Sequence, residues 1–118
     1  MDWATPGFGL RVGGHRGASA LAPENTMASF LLAVAGGVDY IELDVQLSLD
    51  DEPMIYHDET LERTSDGHGR IDATPAAQLE ALDAGTWFDQ RFAGERIPRA
   101  AEVLETLADH QLIRVVPT

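Results

Sequence analysis

Two histidines and two carboxylates fall within forty-three residues of this 118-residue chain. His15-Arg16-Gly17 closes one apolar run, Glu42-Leu43-Asp44 lies inside an alternating segment, and His57-Asp58 ends the next apolar run. Two carboxylates one alternation apart form a hard, oxygen-rich pair suited to Mg²⁺ or Ca²⁺. A histidine titrating near neutrality suits proton transfer, and the planar fork of Arg16 suits phosphate. Metal, phosphate clamp and two acid-base groups together point to phosphoester chemistry.

The elements between them must bring these side chains to one place. From Ile41 to Ser48 the apolar residues Ile41, Leu43, Val45 and Leu47 share one face of a strand. Glu42, Asp44, Gln46 and Ser48 share the other, because side chains alternate. Asp50-Asp51 reads as a turn and Pro53-Met54-Ile55-Tyr56 as a short return strand. A hairpin centred on Asp50 and Asp51 pairs position 44 with 57 and 42 with 59, so Glu42, Asp44 and His57 converge. A loop of two or four residues keeps that register, whereas a three-residue loop shifts it by one and moves His57 to the other side. The plain alternative is a half-buried strand whose acids simply face water.

Strands alternate with helices along the rest of the chain. Leu10 to Gly14 is a first strand, and Asn25 or Thr26 caps a helix from Met27 to Ala35, with Phe30, Leu31 and Val34 as its apolar stripe. Gly36-Gly37 ends that helix, and Val38 to Leu49 is the long second strand. Asp58 to Asp72 is turn-rich, Pro75 opens a short helix through Leu82, and Arg99 to Ala108 is a longer helix with Val103, Leu104 and Leu107 inward. Gln111 to Val116 is the last strand. With no repeat and no linker, residues 1–118 read as one unit.

Composition narrows the partners. Twenty acidic against 8 basic residues give a net charge of −12, which argues against nucleic-acid or anionic-membrane binding. The absence of cysteine rules out disulfides and thiolate metal sites. No run approaches the ~18 apolar residues of a membrane span. Met1 to Gly7 has an acid where a leader wants basic residues, so a cytoplasmic location is expected.

The chain resembles the glycerophosphodiester phosphodiesterase family. The segments that carry the likeness are His15-Arg16-Gly17, Pro23-Glu24-Asn25-Thr26, Glu42-Leu43-Asp44-Val45, His57 to Thr64, Leu82 to Phe88 and Phe92 to Pro98. The resemblance implies that His15 and His57 are catalytic, that Glu42 and Asp44 bind a divalent metal, Mg or Ca, and that Arg16 contacts the substrate phosphate. It implies hydrolysis of a glycerophosphodiester to glycerol 3-phosphate and an alcohol, with the neighbouring glycerol hydroxyl as first nucleophile. It also implies an α/β fold of the TIM (β/α) barrel type. Such a barrel needs about 250 residues. A chain of 118 supplies only the first three barrel strands plus a β-hairpin after strand 2. The resemblance further implies a third metal carboxylate in the last strand, yet Gln111 to Thr118 contains no acid. A truncated, N-terminal portion of the barrel is therefore expected, with exposed edges prone to self-association. Two further readings are a catalytically silent fragment that binds a divalent ion or phosphate weakly, and a related phospholipase-type phosphodiesterase.

Other residues read as background. Glu24 suits either a contact with the site through the Pro23-Glu24-Asn25-Thr26 loop or the first turn of a helix. Trp87 and Phe88 suit a pocket wall or, more often, a core, and Glu59 points into water. His68 and His110 are expected to be solvated.

Overall fold

A computed structural model describes residues 12–109 and 111–118 of the chain. The predicted position of His110, the first residues of the predicted first strand and the reading of Met1 to Gly7 lie outside them. The elements are strand β1 (Gly13–His15), helix α1 (Met27–Ala35), strand β2 (Tyr40–Leu47), strand β3 (Pro53–Ile55), helix α2 (Ala76–Glu80), helix α3 (Ala100–Leu107) and strand β4 (Leu112–Pro117).

They form a mixed sheet of four strands. β1 and β4 both run parallel to β2, and β3 returns antiparallel to it. Arg16 N–H donates to the Glu42 carbonyl (2.7 Å) and Tyr56 N–H to the Asp44 carbonyl (3.0 Å). Carbonyls two residues apart point to the same edge of a strand. β1 and β3 therefore lie one after the other along one edge of β2, while β4 takes the opposite edge. This places the chain leaving β1, at His15, beside the chain leaving β3, at His57.

The alternation of β2 divides the interior. Ile41 and Leu43 are buried with Phe30, Ala33, Ile55, Val103 and Leu107, so α1 and α3 cover one face of the sheet. Alternation in β3 then splits its own side chains. Ile55 joins that core, whereas Met54 and Tyr56 join a second one with Leu61, Ile71, Leu79 and Ile97. Leu47 leaves the pattern at the strand end and is 49% exposed.

The register of the hairpin corrects the sequence expectation. Val45 opposes Ile55 and Leu47 opposes Pro53. Asp44 therefore lies opposite Tyr56, not His57. Ser48 N–H donates to the Glu52 carbonyl (3.0 Å), which closes a three-residue loop, Leu49-Asp50-Asp51. Asp51 adopts a left-handed conformation (φ 61°), the usual third position of such loops. The Ser48 hydroxyl ties the loop down, donating to Asp50 (2.5 Å) and accepting from Glu52 N–H (3.0 Å). The two aspartates read as a centred turn because nothing in their order marks the second as left-handed.

Both longer helices are rotated slightly from their predicted stripes. α1 is capped by Thr26 and buries Ser29, Phe30 and Ala33, leaving Leu31 49% exposed. The cause is Ser29, whose hydroxyl donates to the Arg16 carbonyl (3.0 Å) and whose carbonyl accepts from Ala18 N–H (2.9 Å). A polar residue thus docks the helix, which an apolar stripe could not reveal. α3 buries Ala100, Val103 and Leu107, spaced for one helical face, and turns Leu104 outward at 38% exposure.

Candidate active site

His15 is the last residue of β1, as the pattern predicts, and Glu42 is its register partner on β2. Partners in adjacent strands share a face, and His15 Nε2 lies 3.7 Å from Glu42 Oε1. On the other side Glu42 is in register with Arg114 of β4, whose Nε lies 3.7 Å from Oε2. One row across the sheet thus reads histidine, carboxylate, guanidinium. The last strand offers a cation to Glu42 where the sequence resemblance implies an acid.

The chain turns sharply after His15. Arg16 has φ 55° and Gly17 φ 83°. This turn sends the Arg16 guanidinium back over β2, where Nη1 lies 3.2 Å from Glu24 and Nε 3.3 Å from Asp44 Oδ2. Asp44 is 5% exposed and accepts a hydrogen bond from Asn25 Nδ2 (2.9 Å). Asn25 also sits in the left-handed region (φ 56°), a conformation asparagine tolerates. It therefore holds Asp44, while Thr26 alone caps α1. The buried Arg16 Nε makes no aligned hydrogen bond despite its short charge contact. A buried donor left this way suits an incoming anionic oxygen.

His57 lies beyond the last residue of β3 and is positioned by its neighbour. Its Nδ1 is 2.7 Å from Asp58 Oδ1. Arg63 holds both oxygens of Asp58 and both of Glu24, over 2.8–3.1 Å. The sequence-predicted residues are thus joined in two groups, His15 with Glu42 and Arg16 with Asp44. His57 reaches Asp44 through a chain of ion pairs rather than by direct opposition.

Of the two readings of Glu24, the helix-dipole one is corrected, because α1 has no acid in its first turn. Glu24 instead sits between Arg16 and Arg63 with a side chain only 10% exposed. Arg63, Asp58, Asn25 and Arg114 were missed. The available signal was charge alternation, since an acid buried in a helix-entry loop needs cations from elsewhere. Trp87 and Phe88 do not fill a core: they meet edge-to-face at 5.7 Å, and Trp87 is 40% exposed. Glu59 and His68 are exposed, as expected.

The Arg63 guanidinium beside Asp58, aided by His57, holds its carboxyl well below the ordinary range, at about 2. A depressed carboxylate contributes stability above its unfolded value, near 3.9, and that stability is lost as pH falls toward the folded one. Acidification from about pH 4 to 2 should cost about 1 kcal/mol at this pair, allowing for the water around Arg63. Chemical denaturation across that range checks it, and Asp58→Asn should flatten that part of the profile.

Two hard carboxylates on one sheet face are suitable donors for a divalent ion, but each already faces a guanidinium. Among the described residues no three metal-ligating side chains form a cluster. Divalent binding should accordingly be weak, because two carboxylates leave the ion mostly hydrated and Arg16 and Arg114 repel it. In calorimetric titrations Arg114→Glu should tighten Ca²⁺ binding roughly tenfold. Submicromolar binding by the unaltered chain, lost in Asp44→Ala, would show that a third ligand has been overlooked.

The α/β fold that carries this histidine-carboxylate-guanidinium face has close structural relatives. A glycerophosphodiester phosphodiesterase from Agrobacterium tumefaciens superposes with a TM-score of 0.89 at 43% identity, over 91% of this chain and 46% of that one. A phosphodiesterase from Oleispira antarctica, solved with its product sn-glycerol-3-phosphate, superposes with a TM-score of 0.85 at 43% identity, over 92% and 45%. The glycerophosphodiester phosphodiesterase of Caldanaerobacter subterraneus is 46% identical over 99 residues, which are 84% of this chain and 41% of that one. Residues 15–115 match the sequence profile of the glycerophosphoryl diester phosphodiesterase family, and the chain belongs to that family. It spans less than half the length of the relatives named here.

Proposed function

We propose that these 118 residues form one unit, the N-terminal portion of an enzyme that hydrolyses glycerophosphodiesters to glycerol 3-phosphate and an alcohol. The observation that carries this reading is the shared face of β1 and β2. His15 pairs with Glu42 (3.7 Å) and Arg16 with Asp44 (3.3 Å), with the two carboxylates on one face of β2, in a chain of this family. In this reading β1, β2 and β4, parallel and adjacent in the sheet, correspond to the first three strands of a TIM-type barrel, with β3 as the hairpin return after the second. Active sites of such barrels gather at the carboxyl ends of the strands, where His15 stands.

The chemistry follows from the positions of protons and charge. Arg16 receives the phosphate, its buried Nε supplying a donor for a phosphoryl oxygen. Asp58 is ionised and can only accept, so the proton between it and His57 resides on Nδ1. The His57 Nε2 is left to take or give a proton. His15 Nε2 provides the second such atom, beside the Glu42 carboxylate. One histidine removes the proton of the neighbouring glycerol hydroxyl as its oxygen attacks phosphorus, and the other protonates the departing alkoxide, leaving a cyclic phosphate. Water then attacks that phosphorus with the two histidines in reversed roles, the ring P–O bond to the hydroxyl oxygen that attacked first breaks, and glycerol 3-phosphate results. Glu42 and Asp44 would hold the divalent ion, Mg²⁺ or Ca²⁺, which when bound offsets charge on the phosphoryl oxygens.

No helix among the described residues is long and apolar enough to cross a membrane, and a small soluble substrate in the cytoplasm fits this reading. β4 has no partner on its outer edge among the described residues, and its Leu112 and Val115 are 62% and 48% exposed. Self-association through this edge is part of the proposal.

A chimera tests the function directly. Residues 12–109 of this chain would replace their counterparts in the Agrobacterium enzyme. Glycerol 3-phosphate release from glycerophosphocholine that falls at least ~100-fold in His15→Ala is expected. A folded chimera without such release would overturn the assignment. A second reading, a catalytically silent chain that binds phosphate weakly, is favoured by one observation: both proposed metal carboxylates are engaged by arginines.

A further inference from the structure

Arg63 joins two parts of the molecule that are far apart in sequence. Its Nε donates to Asp58 Oδ2 (2.8 Å) and its Nη2 to Asp58 Oδ1 (2.9 Å). Through the outer edge of the same guanidinium, Nη1 donates to Glu24 Oε1 (3.1 Å) and Nη2 to Glu24 Oε2 (2.9 Å). Glu24 Oε2 in turn accepts from Arg16 Nη1 (3.2 Å), and Arg16 Nε faces Asp44 (3.3 Å). The series Asp58, Arg63, Glu24, Arg16, Asp44 alternates acid and cation, from the carboxylate beside the His57 ring to the arginine-carboxylate pair at β2. Nothing else among the described hydrogen bonds and ion pairs of the His57 side chain ties it to the β1-β2 face.

The hairpin makes such a tie necessary. Had the loop kept the even register, the sheet itself would have set His57 against Asp44. In the observed register Tyr56 takes that place, and its hydroxyl accepts from Thr64 (2.8 Å) inside the second core. The strand ends before His57; Gln46 of β2 still holds the flanking carbonyls of Tyr56 (2.9 Å) and Asp58 (2.6 Å), which fixes the backbone there but not where the imidazole points.

We propose that Arg63 is the positioning residue of the site: by gripping Asp58 and Glu24 together, it fixes the tautomer and direction of His57 relative to Arg16. This rests on the phosphodiesterase reading of the site. The reasoning is geometric. An ionised carboxylate held in a bidentate fork cannot rotate, so its remaining lone pair meets the His57 Nδ1 proton in one direction only. Fixing one ring nitrogen decides which tautomer exists and leaves the other nitrogen for substrate. The same guanidinium offsets two acids that would otherwise repel across a partly buried gap. Lysine carries the charge but not the planar fork, and it cannot hold four oxygens at once.

The test uses nitrogen-15 NMR of the histidine side chains in the 118-residue chain, at a pH where the rings are neutral. His57 should show its proton on Nδ1. Arg63→Gln should abolish that preference while His15 signals stay in place, and Arg63→Lys should restore it only in part. Where Arg63→Gln leaves Glu24 with Arg16 alone and the chain does not fold, the double variant E24Q/R63Q carries the same measurement without the excess negative charge. An unchanged His57 tautomer in a folded R63Q or E24Q/R63Q chain would overturn the proposal. In the active chimera Arg63→Gln should lower kcat roughly 10- to 100-fold with KM little changed. A fall in KM-dependent binding alone would equally count against it. A tautomer shift in a chimera that releases no glycerol 3-phosphate would instead sink the phosphodiesterase reading and leave the Arg63 arrangement standing.

Discussion

Gly17→Ala should destabilise the chain far more than Gly37→Ala, although both glycines have positive φ, 83° and 78°. At Gly37 a new Cβ meets nothing within 4 Å, so only the left-handed strain is incurred, about 1–2 kcal/mol. At Gly17 the same atom would lie 2.3 Å from the Ser29 hydroxyl and 2.7 Å from the Ser29 backbone carbon. The hydroxyl could rotate away, but the backbone of α1 cannot. Overpacking adds about 1–3 kcal/mol to the strain, for a total of roughly 2–5 kcal/mol. That is a large share of the stability of a small domain. The consequence also reaches the site. Gly17 follows His15 and Arg16 in a loop that is pinned to α1 by the Ser29 hydroxyl and carbonyl. A helix pushed outward carries the guanidinium away from Asp44. Urea denaturation of the two variants checks the order, and Gly17→Ala no worse than Gly37→Ala would mean that the loop does not sit on α1 as described.

That loop shows why some of the site was legible and some was not. The alternation of Ile41 to Ser48 was readable because burial selects every second residue, and Glu42 and Asp44 do share the face it implies. His15 at a strand end was readable from the glycines that follow an apolar run. The hairpin register was not, since it hangs on one left-handed aspartate, Asp51, whose side chain resembles its neighbour's. The arginine pairs were not readable either. Arg63 is 39 positions from Glu24, and Arg114 is 72 positions from Glu42, so only the folded topology brings them together. The same holds for Asn25, which local reasoning treats as a helix cap and the fold uses to hold Asp44.

The isolated 118-residue chain should release glycerol 3-phosphate from glycerophosphocholine roughly three orders of magnitude more slowly than a family enzyme of full barrel length. The reason lies in what surrounds the reacting groups. Misplacing a catalytic group by about 1 Å can cost about 100-fold, and preorganised charge acts strongly only where water is excluded. Here the His15 side chain is 63% exposed, that of His57 39%, and that of Arg114 69%. Nothing among the described residues walls the sheet face on the β4 side, and Glu42 is flanked by the His15 imidazole and the Arg114 guanidinium. Arg114→Glu alone should tighten the metal without rescuing turnover, because it adds a ligand and no wall. The measurement is product release by the purified chain with Mg²⁺ or Ca²⁺, set against His15→Ala. Family-like turnover that vanishes in His15→Ala would mean that the exposed face is completed by something other than the chain itself. The outer edge of β4, unpaired among the described residues, makes a second copy the first suspect, and activity rising steeply with protein concentration would identify it.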